Sequence, residues 1–421
     1  MRISKFLLAV LAAGLPLSLF SAESGLLQGA LLFDMRPDPE LRRFVRSVVD
    51  ANPRLQAAQS ALEASRALES AAGRPLYNPE LQADYESAVD DTWEIGIGQT
   101  LDWSGKRDAR SSVAAAERQA MEAEYLAQRR ELTAALLDSL TQHQAGVRRE
   151  TLASERVQAM SEFADVAGRR FAAGDLNQVE AELATLAAMD ARIQRATAEA
   201  ELAEARQAMR NLVSDLSPER WPSLNTEPPA APDIDEPQSI VLALPEVAAA
   251  RRRVQAADAV IELRQRLRKP DPTLILRGGQ EADSTLVGIN FSIPLYIRNS
   301  YSDEVTAAVA ERDRAQQLAD DLLRRAYARF ISATERYRLS HEAWKNWQQV
   351  GQPSLARQSD VLRRLWEAGE ISTTGFLVQL RQTLDTRENA LDLELAMWRA
   401  WFEWLMASGQ VEAWLGPENP S

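Results

Sequence analysis

Two histidines, one glycine–lysine pair and a surplus of carboxylates are the residues of this chain that could do chemistry. A metal site would need His143 and His341 to converge with further ligands; standing in separate polar helical stretches, they read as solvated or packing side chains. The chain has no cysteine, which removes disulfides, thiolate metal sites, thiol nucleophiles and a lipid-anchor cysteine together. Gly105-Lys106 would suit a phosphate loop only with a glycine where Thr100 stands and a Ser or Thr where Arg107 stands. No Gly-x-Ser-x-Gly elbow, histidine pair at helical spacing or cysteine dyad occurs. Carboxylate pairs abound, but with 26% of residues charged they are expected on any solvated helix face. These residues specify no catalytic constellation, and the expectation is a protein that is no enzyme and has no cofactor and no resident metal.

The formal net charge of -13 argues against nucleic acid, whose phosphates require a basic face. Such acidity is either spread evenly or lines a cavity where it favours cations. Arg2 and Lys5 precede an apolar run from Phe6 to Phe20, followed by Ser21, Ala22 and Ser24. That run is short of the ~20 residues of a transmembrane helix and matches a secretory signal peptide over residues 1–24, cleaved between 21 and 24.

The elements that must carry any function are written twice. Pro53 is answered by Pro245, Pro79 by Pro272, Leu101 by Leu295, and Phe171-Ala172-Ala173-Gly174-Asp175 by Trp366-Glu367-Ala368-Gly369-Glu370, at offsets drifting from 192 to 195. Two collinear units follow, 40–215 and 240–412, each with the order helix, strand pair, long helix, returning helix. A duplicated unit of this kind needs a partner surface. Between them, residues 216–239 read as a proline-rich linker.

In the first unit Glu40 to Ala72 reads as a helix broken or restarted at Pro53. Leu81, Ala83 and Tyr85 then alternate with Gln82, Asp84 and Glu86; after a turn at Val89-Asp90-Asp91, Trp93, Ile95, Ile97, Gln99 and Leu101 alternate with Glu94, Gly96 and Gly98. This is a hairpin over 79–103. Its counterpart over 272–297 sets Val287, Ile289, Phe291 and Ile293 against Leu286, Gly288, Asn290 and Ser292. Strands of about ten residues with one apolar and one polar face suit either a half-buried soluble hairpin or an outer-membrane barrel. In a barrel, Gln82, Asp84, Glu86, Glu94, Asn290 and Ser292 would face the lumen. Four strands cannot close one, so several chains would have to contribute.

Residues 104–167 contain no proline and would span roughly 90 Å as a helix. A helix over 175–214 returns, with Leu176, Val179, Leu183, Leu186, Met189 and Ile193 predicted as its coiled-coil seam. In the second unit helices over 302–365 and 371–412 repeat the pattern, the latter with Leu377, Leu380, Leu384, Leu391, Leu395 and Trp398 inward. Trp398, Trp401, Phe402, Trp404 and Trp414 are expected to be buried where the last helix meets the linker.

The doubled unit, the segment Gln99-Thr100-Leu101-Asp102-Trp103-Ser104-Gly105-Lys106-Arg107, its weaker counterpart Ser292-Ile293-Pro294-Leu295-Tyr296 and the two aromatic-x-Ala-Gly-acid turns resemble the TolC-like outer-membrane efflux protein family of Gram-negative bacteria. The Leu-Asp-Trp-Ser-Gly-Lys-Arg form is similar to the CzcC-type heavy-metal efflux branch. The resemblance implies a mainly α fold with a small β part: a homotrimeric, 12-stranded outer-membrane barrel continued by a helical barrel through the periplasm. It implies a passive exit duct in outer-membrane lipid, with a periplasmic adapter protein and an inner-membrane RND-type pump as partners, for heavy-metal cations, drugs or other small molecules. Arg170, Gly174, Asp175, Arg364, Gly369 and Glu370 would form the periplasmic tip where the adapter docks, with Glu180 as a candidate aperture charge. Gly375 stands where a second acid would match Glu180, so a gate of acidic rings is not the expectation. A periplasmic adapter or a structural coiled coil of an envelope complex are the alternatives; the duplicated strand pairs speak against the first.

Overall fold

The computed structural model describes residues 37–87, 91–213, 217–224, 227–230 and 236–416. The expected signal peptide, 1–24, and the hairpin residues Val89 and Asp90 lie outside them.

Asp38 opens helix α1 (Pro39–Asp50) by accepting from the Glu40 N–H at 3.0 Å, and Asn52 opens α2 (Pro53–Ala72) by accepting from Arg54 N–H at 3.0 Å. Pro53 therefore restarts rather than kinks the helix: proline at the first position forfeits only an N–H that has no partner there.

Strands β1 (Glu80–Ser87), β2 (Asp91–Thr100), β3 (Thr273–Glu281) and β4 (Ser284–Ser292) form one antiparallel sheet in that order. Each strand runs on into a helix. α2 leads into β1, β2 into α3 (Lys106–Ala172), α6 (Pro245–Leu267) into β3, and β4 into α7 (Ser302–Asn346). The helices neighbour one another in the order of their strands, α2, α3, α6, α7. The far half of α3 packs on α4 (Gln178–Leu212) and α9 (Thr373–Ser408). The helix expected over 104–167 runs on to Ala172, with Gly168 inside it.

The helix expected over 302–365 carries a π turn at Trp347–Gly351 before continuing as α8 (Gln352–Glu367). Pro353 explains it: proline donates nothing to the carbonyl four residues back and crowds it, and the wider turn relieves the clash. The last helix, expected to 412, stops at Gly409 in a left-handed conformation, and α10 (Val411–Leu415) follows.

The predicted α4 seam is wrong in its face. Val179, Leu183, Leu186, Met189 and Ile193 are exposed, Leu186 at 62%, while Ala184, Ala187, Ala188, Ala191 and Ala198 are buried, Ala184 at 0%. Small residues let α4 lie close against α3, and the bulkier stripe is left without a partner within one chain. By contrast, Leu377, Leu384, Leu395 and Trp398 of α9 do face inward.

The largest apolar cluster joins Leu41 and Val45 of α1, Leu136 and Leu140 of α3, Tyr337 of α7 and Trp398, Trp401, Phe402 and Trp404 of α9 to Trp414 of α10. Trp401 and Trp404 stack at 5.1 Å, and Tyr337 sits 5.0 Å from Trp401. The stretch read as a linker, 216–239, contributes Trp221 and Leu224 to this core and ends in α5 (Pro237–Leu242), so its described part is a packed segment.

Ala184→Leu should overpack the α3–α4 contact and destabilise by about 1–3 kcal/mol, read as a lower thermal midpoint of the helical circular dichroism signal. Leu186→Ala, at an exposed site, should change it far less; a large loss there would report contacts between copies.

Candidate functional site

The pleat sorts the sheet into two unlike faces. Directly paired residues in neighbouring strands point the same way, so Leu81, Ile97, Leu276 and Ile289 line up across all four strands, as do Ala83, Ile95, Gly278 and Val287. This face is apolar and open, with Val287 86% and Ile289 72% exposed. Gln82, Gly96, Arg277 and Gly288 share the opposite row, next to Asp84, Glu94, Gly279 and Leu286. The structure thus brings Gln82, Asp84, Glu86, Glu94, Asn290 and Ser292 onto one face, where Arg277 pairs with Glu94 at 3.0 Å. β1 and β4 are both edge strands in the single chain. Among the described residues no helix is long and apolar enough to cross a membrane, a finding that does not bear on strands.

Where sheet becomes helix, the segment rejected as a phosphate loop builds a joint. Asp102 accepts from the N–H groups of Lys106 (2.8 Å) and Arg107 (2.7 Å), capping α3. Gly105 turns the chain at φ +70°, and an added Cβ would stand 2.4 Å from the Arg266 guanidinium, which bonds the Ser104 and Gly105 carbonyls. Lys106 is buried and donates to Asp271 Oδ2 at 2.9 Å, to which the Tyr77 hydroxyl also donates at 2.7 Å. Trp103 Nε1 donates to the Pro270 carbonyl at 2.7 Å. Sequence reasoning missed Lys106, Asp271 and Tyr77 as partners, because Asp271 lies 165 residues from Lys106. The only local signal was an acid four residues before a helical N–H run.

At the far end the two tip turns are built alike. Gly174 at φ +84° gives its N–H to the Phe171 carbonyl (3.0 Å) and Asp175 gives its own to Arg170 (2.9 Å); Gly369 at φ +74° repeats this with Trp366 (3.1 Å), and Glu370 with Leu365 (2.9 Å). This is the Schellman pattern, in which only glycine takes the left-handed position without strain. The side chains around the turns differ. Arg170 lies 4.4 Å over the Trp366 ring and so joins the two turns, whereas Arg364 pairs with Asp360 one turn back at 2.6 Å. Glu180 gives its N–H to Asn177 Oδ1 (2.9 Å), and Gly375 gives its own to Ser372 Oγ (3.1 Å), so both occupy the same capping position. An acid in a first turn is favoured by the helix dipole, which accounts for Glu180 locally.

Between joint and tip, α3 and α9 are tied by ions. Buried Arg156 donates to Asp385 (2.8 Å), Glu388 (3.3 Å) and Gln194; Glu155 pairs with Arg387 at 2.7 Å and Asp138 with Arg399 at 3.3 Å. Among the described residues no three His, Cys, Asp or Glu side chains are grouped to hold a metal ion. His143 instead meets Trp221 edge-on at 4.7 Å, and His341 lies 5.7 Å from Tyr337.

A strand-to-helix wall with one oily sheet face is a build shared with solved outer membrane channels. The family model for the outer membrane efflux protein matches residues 44–214. The fold is similar to the open-state MtrE outer membrane channel of Neisseria gonorrhoeae (TM-score 0.74, 16% identity, 89% of this chain and 90% of that one). It is also similar to the CmeC outer membrane channel of Campylobacter jejuni (TM-score 0.73, 16% identity, 88% and 86% covered). The cobalt-zinc-cadmium resistance protein CzcC of Cupriavidus metallidurans is 27% identical over 252 residues, a match that covers 58% of this chain and 60% of the length of that relative. The family-model match is confined to the first repeat, while the likeness in fold to solved outer membrane channels extends over nearly nine-tenths of the chain.

Lys106→Met should leave Asp271 buried without its cation and cost about 3–5 kcal/mol, seen as a lower denaturation midpoint; adding Asp271→Leu should restore much of the loss. Gly174→Ala and Gly369→Ala meet open space around the new Cβ, so each should cost only the backbone strain of about 1–2 kcal/mol in the same measurement.

Proposed function

We propose that the protein is the exit duct of a tripartite efflux system, passing substrates from the periplasm to the exterior without catalysing a reaction. The observation that carries this reading is the sheet: one face mainly apolar and exposed, the other mainly polar, and both edge strands unpaired. In lipid every backbone N–H and C=O must be bonded within protein, so an open sheet has to close. Pairing β4 of one copy with β1 of the next achieves this, and a trimer gives twelve strands around a water-filled lumen. Gln82, Asp84, Glu86, Glu94, Asn290 and Ser292 then face the lumen water, and Leu81, Ile97, Leu276 and Ile289 face lipid. The exposed Val179, Leu183, Leu186 and Met189 stripe of α4 supports the same assembly, since neighbouring copies would cover it.

The partners in this reading are a periplasmic adapter, docking at the tip formed by Arg170, Gly174, Asp175, Arg364, Gly369 and Glu370, and an inner-membrane RND-type pump that supplies the energy. Glu180 is the remaining candidate for a charge at the aperture. Heavy-metal cations are the favoured substrates, on the likeness to a cobalt-zinc-cadmium resistance protein; drugs are the alternative.

Purified in detergent, the protein should have the mass of three chains and conduct ions in a planar bilayer; a monomer without conductance would refute the duct. Deletion of the gene should sensitise cells to cobalt, zinc or cadmium if metals are the cargo, and unchanged tolerance to all three would overturn the metal assignment alone.

A further inference from the structure

Both histidines of the chain lie beneath the same segment. Residues 217–230, in their described part, run across the helical layer near its middle. Gln144 of α3 gives its side-chain N–H to the Pro222 carbonyl (3.1 Å) and accepts from Leu224 N–H (3.2 Å); Trp221 and Leu224 are buried in the aromatic core. On α7, the Tyr337 hydroxyl donates to the Pro229 carbonyl and Lys345 pairs with Glu227 at 2.9 Å. The segment therefore binds α3, α9 and α7 together from one side, as a strap.

One fastening is ill suited to carry a proton. His143 is buried to within 8% of its surface, faces the edge of Trp221 and has no hydrogen-bond partner at Nε2; Trp221 Nε1 is likewise buried without one. A protonated imidazole must donate from both nitrogens, and a buried donor without an acceptor is costly. The charged group that bears on it is Arg206 of α4, another cation. We propose that residues 217–224 and 227–230 are a pH-sensitive strap, which protonation of His143 releases from α3, freeing α3, α9 and α7 to shift against one another.

Burial, then Arg206, push the His143 pKa below the ordinary value of 6.5. His341, the second fastening, is also pushed down, by burial and Lys345, against opposing pulls from Glu227, the Pro228 carbonyl and Glu342. With attached-state pKa values below those of the detached state, the detached state takes up protons first. The fastening is complete above about pH 6.5 and is lost as pH falls below it.

Hydrogen–deuterium exchange of the full chain in detergent, corrected for the intrinsic pH dependence of exchange, tests this. Protection of the Leu224 amide, which bonds the Gln144 side chain of α3, should fall at least tenfold between pH 7.5 and 5.5 while the α3 amides stay protected. His143→Phe should remove most of that fall, and Arg206→Gln, at an exposed position, should make it smaller, because losing the neighbouring cation narrows the gap between the attached and detached pKa values. Strap protection that stays level in the unaltered protein, or that is lost only together with α3, would overturn the proposal; so would an undiminished fall in Arg206→Gln.

Discussion

An edge strand leaves a row of backbone N–H and C=O groups unpaired, and this chain has two such edges on a sheet only four strands wide. Most of the molecule follows from meeting that demand. Because each strand continues into a helix, closing the sheet between copies in the proposed assembly would also set the helices side by side, so that one pairing decision would propagate along the whole wall. The long helices then need no deep core of their own along most of their length; they lean on alanine-lined contacts such as Ala184 to Ala198 against α3.

A wall so thin depends on its joints. At one end of the helices the Lys106–Asp271 pair, with Tyr77, ties the first strand-to-helix passage to the entry of β3. Near the middle the tryptophan cluster and the crossing segment hold α1, α3, α7 and α9. Farther on, Arg156 and its acidic partners join the halves, and at the tips Arg170 over Trp366 does so again. Each joint links the first half of the chain to the second. The halves are otherwise unequal: Gly105 takes the left-handed turn before α3, while Tyr301 takes it before α7 at φ +54°. Phe171 is exposed where its counterpart Trp366 is buried against Phe163 and Phe376.

The legible features were those with a short period or a local cause. Alternation in Leu81 to Glu86 and Trp93 to Leu101 announced strands because side chains of a strand divide between two faces. Gly174 and Gly369 announced turns because few other residues accept positive φ. The α4 seam misled because leucines and alanines both recur at helical spacing; the identity of the inner face depends on how near the neighbouring helix comes. Glu180 was singled out by its distance from Gly174, yet Asn177 three residues earlier already explained it as part of a helix cap.

By itself, the sequence determined the order of elements, the two-faced strands and the glycine turns, since all of these rest on interactions within a few residues. Only the tertiary structure decided that Asp271 closes on Lys106, that Trp221 covers His143, and that alanine rather than leucine meets α3. Those contacts join residues far apart in the chain, and nothing local to either partner selects the other; the three-dimensional path does.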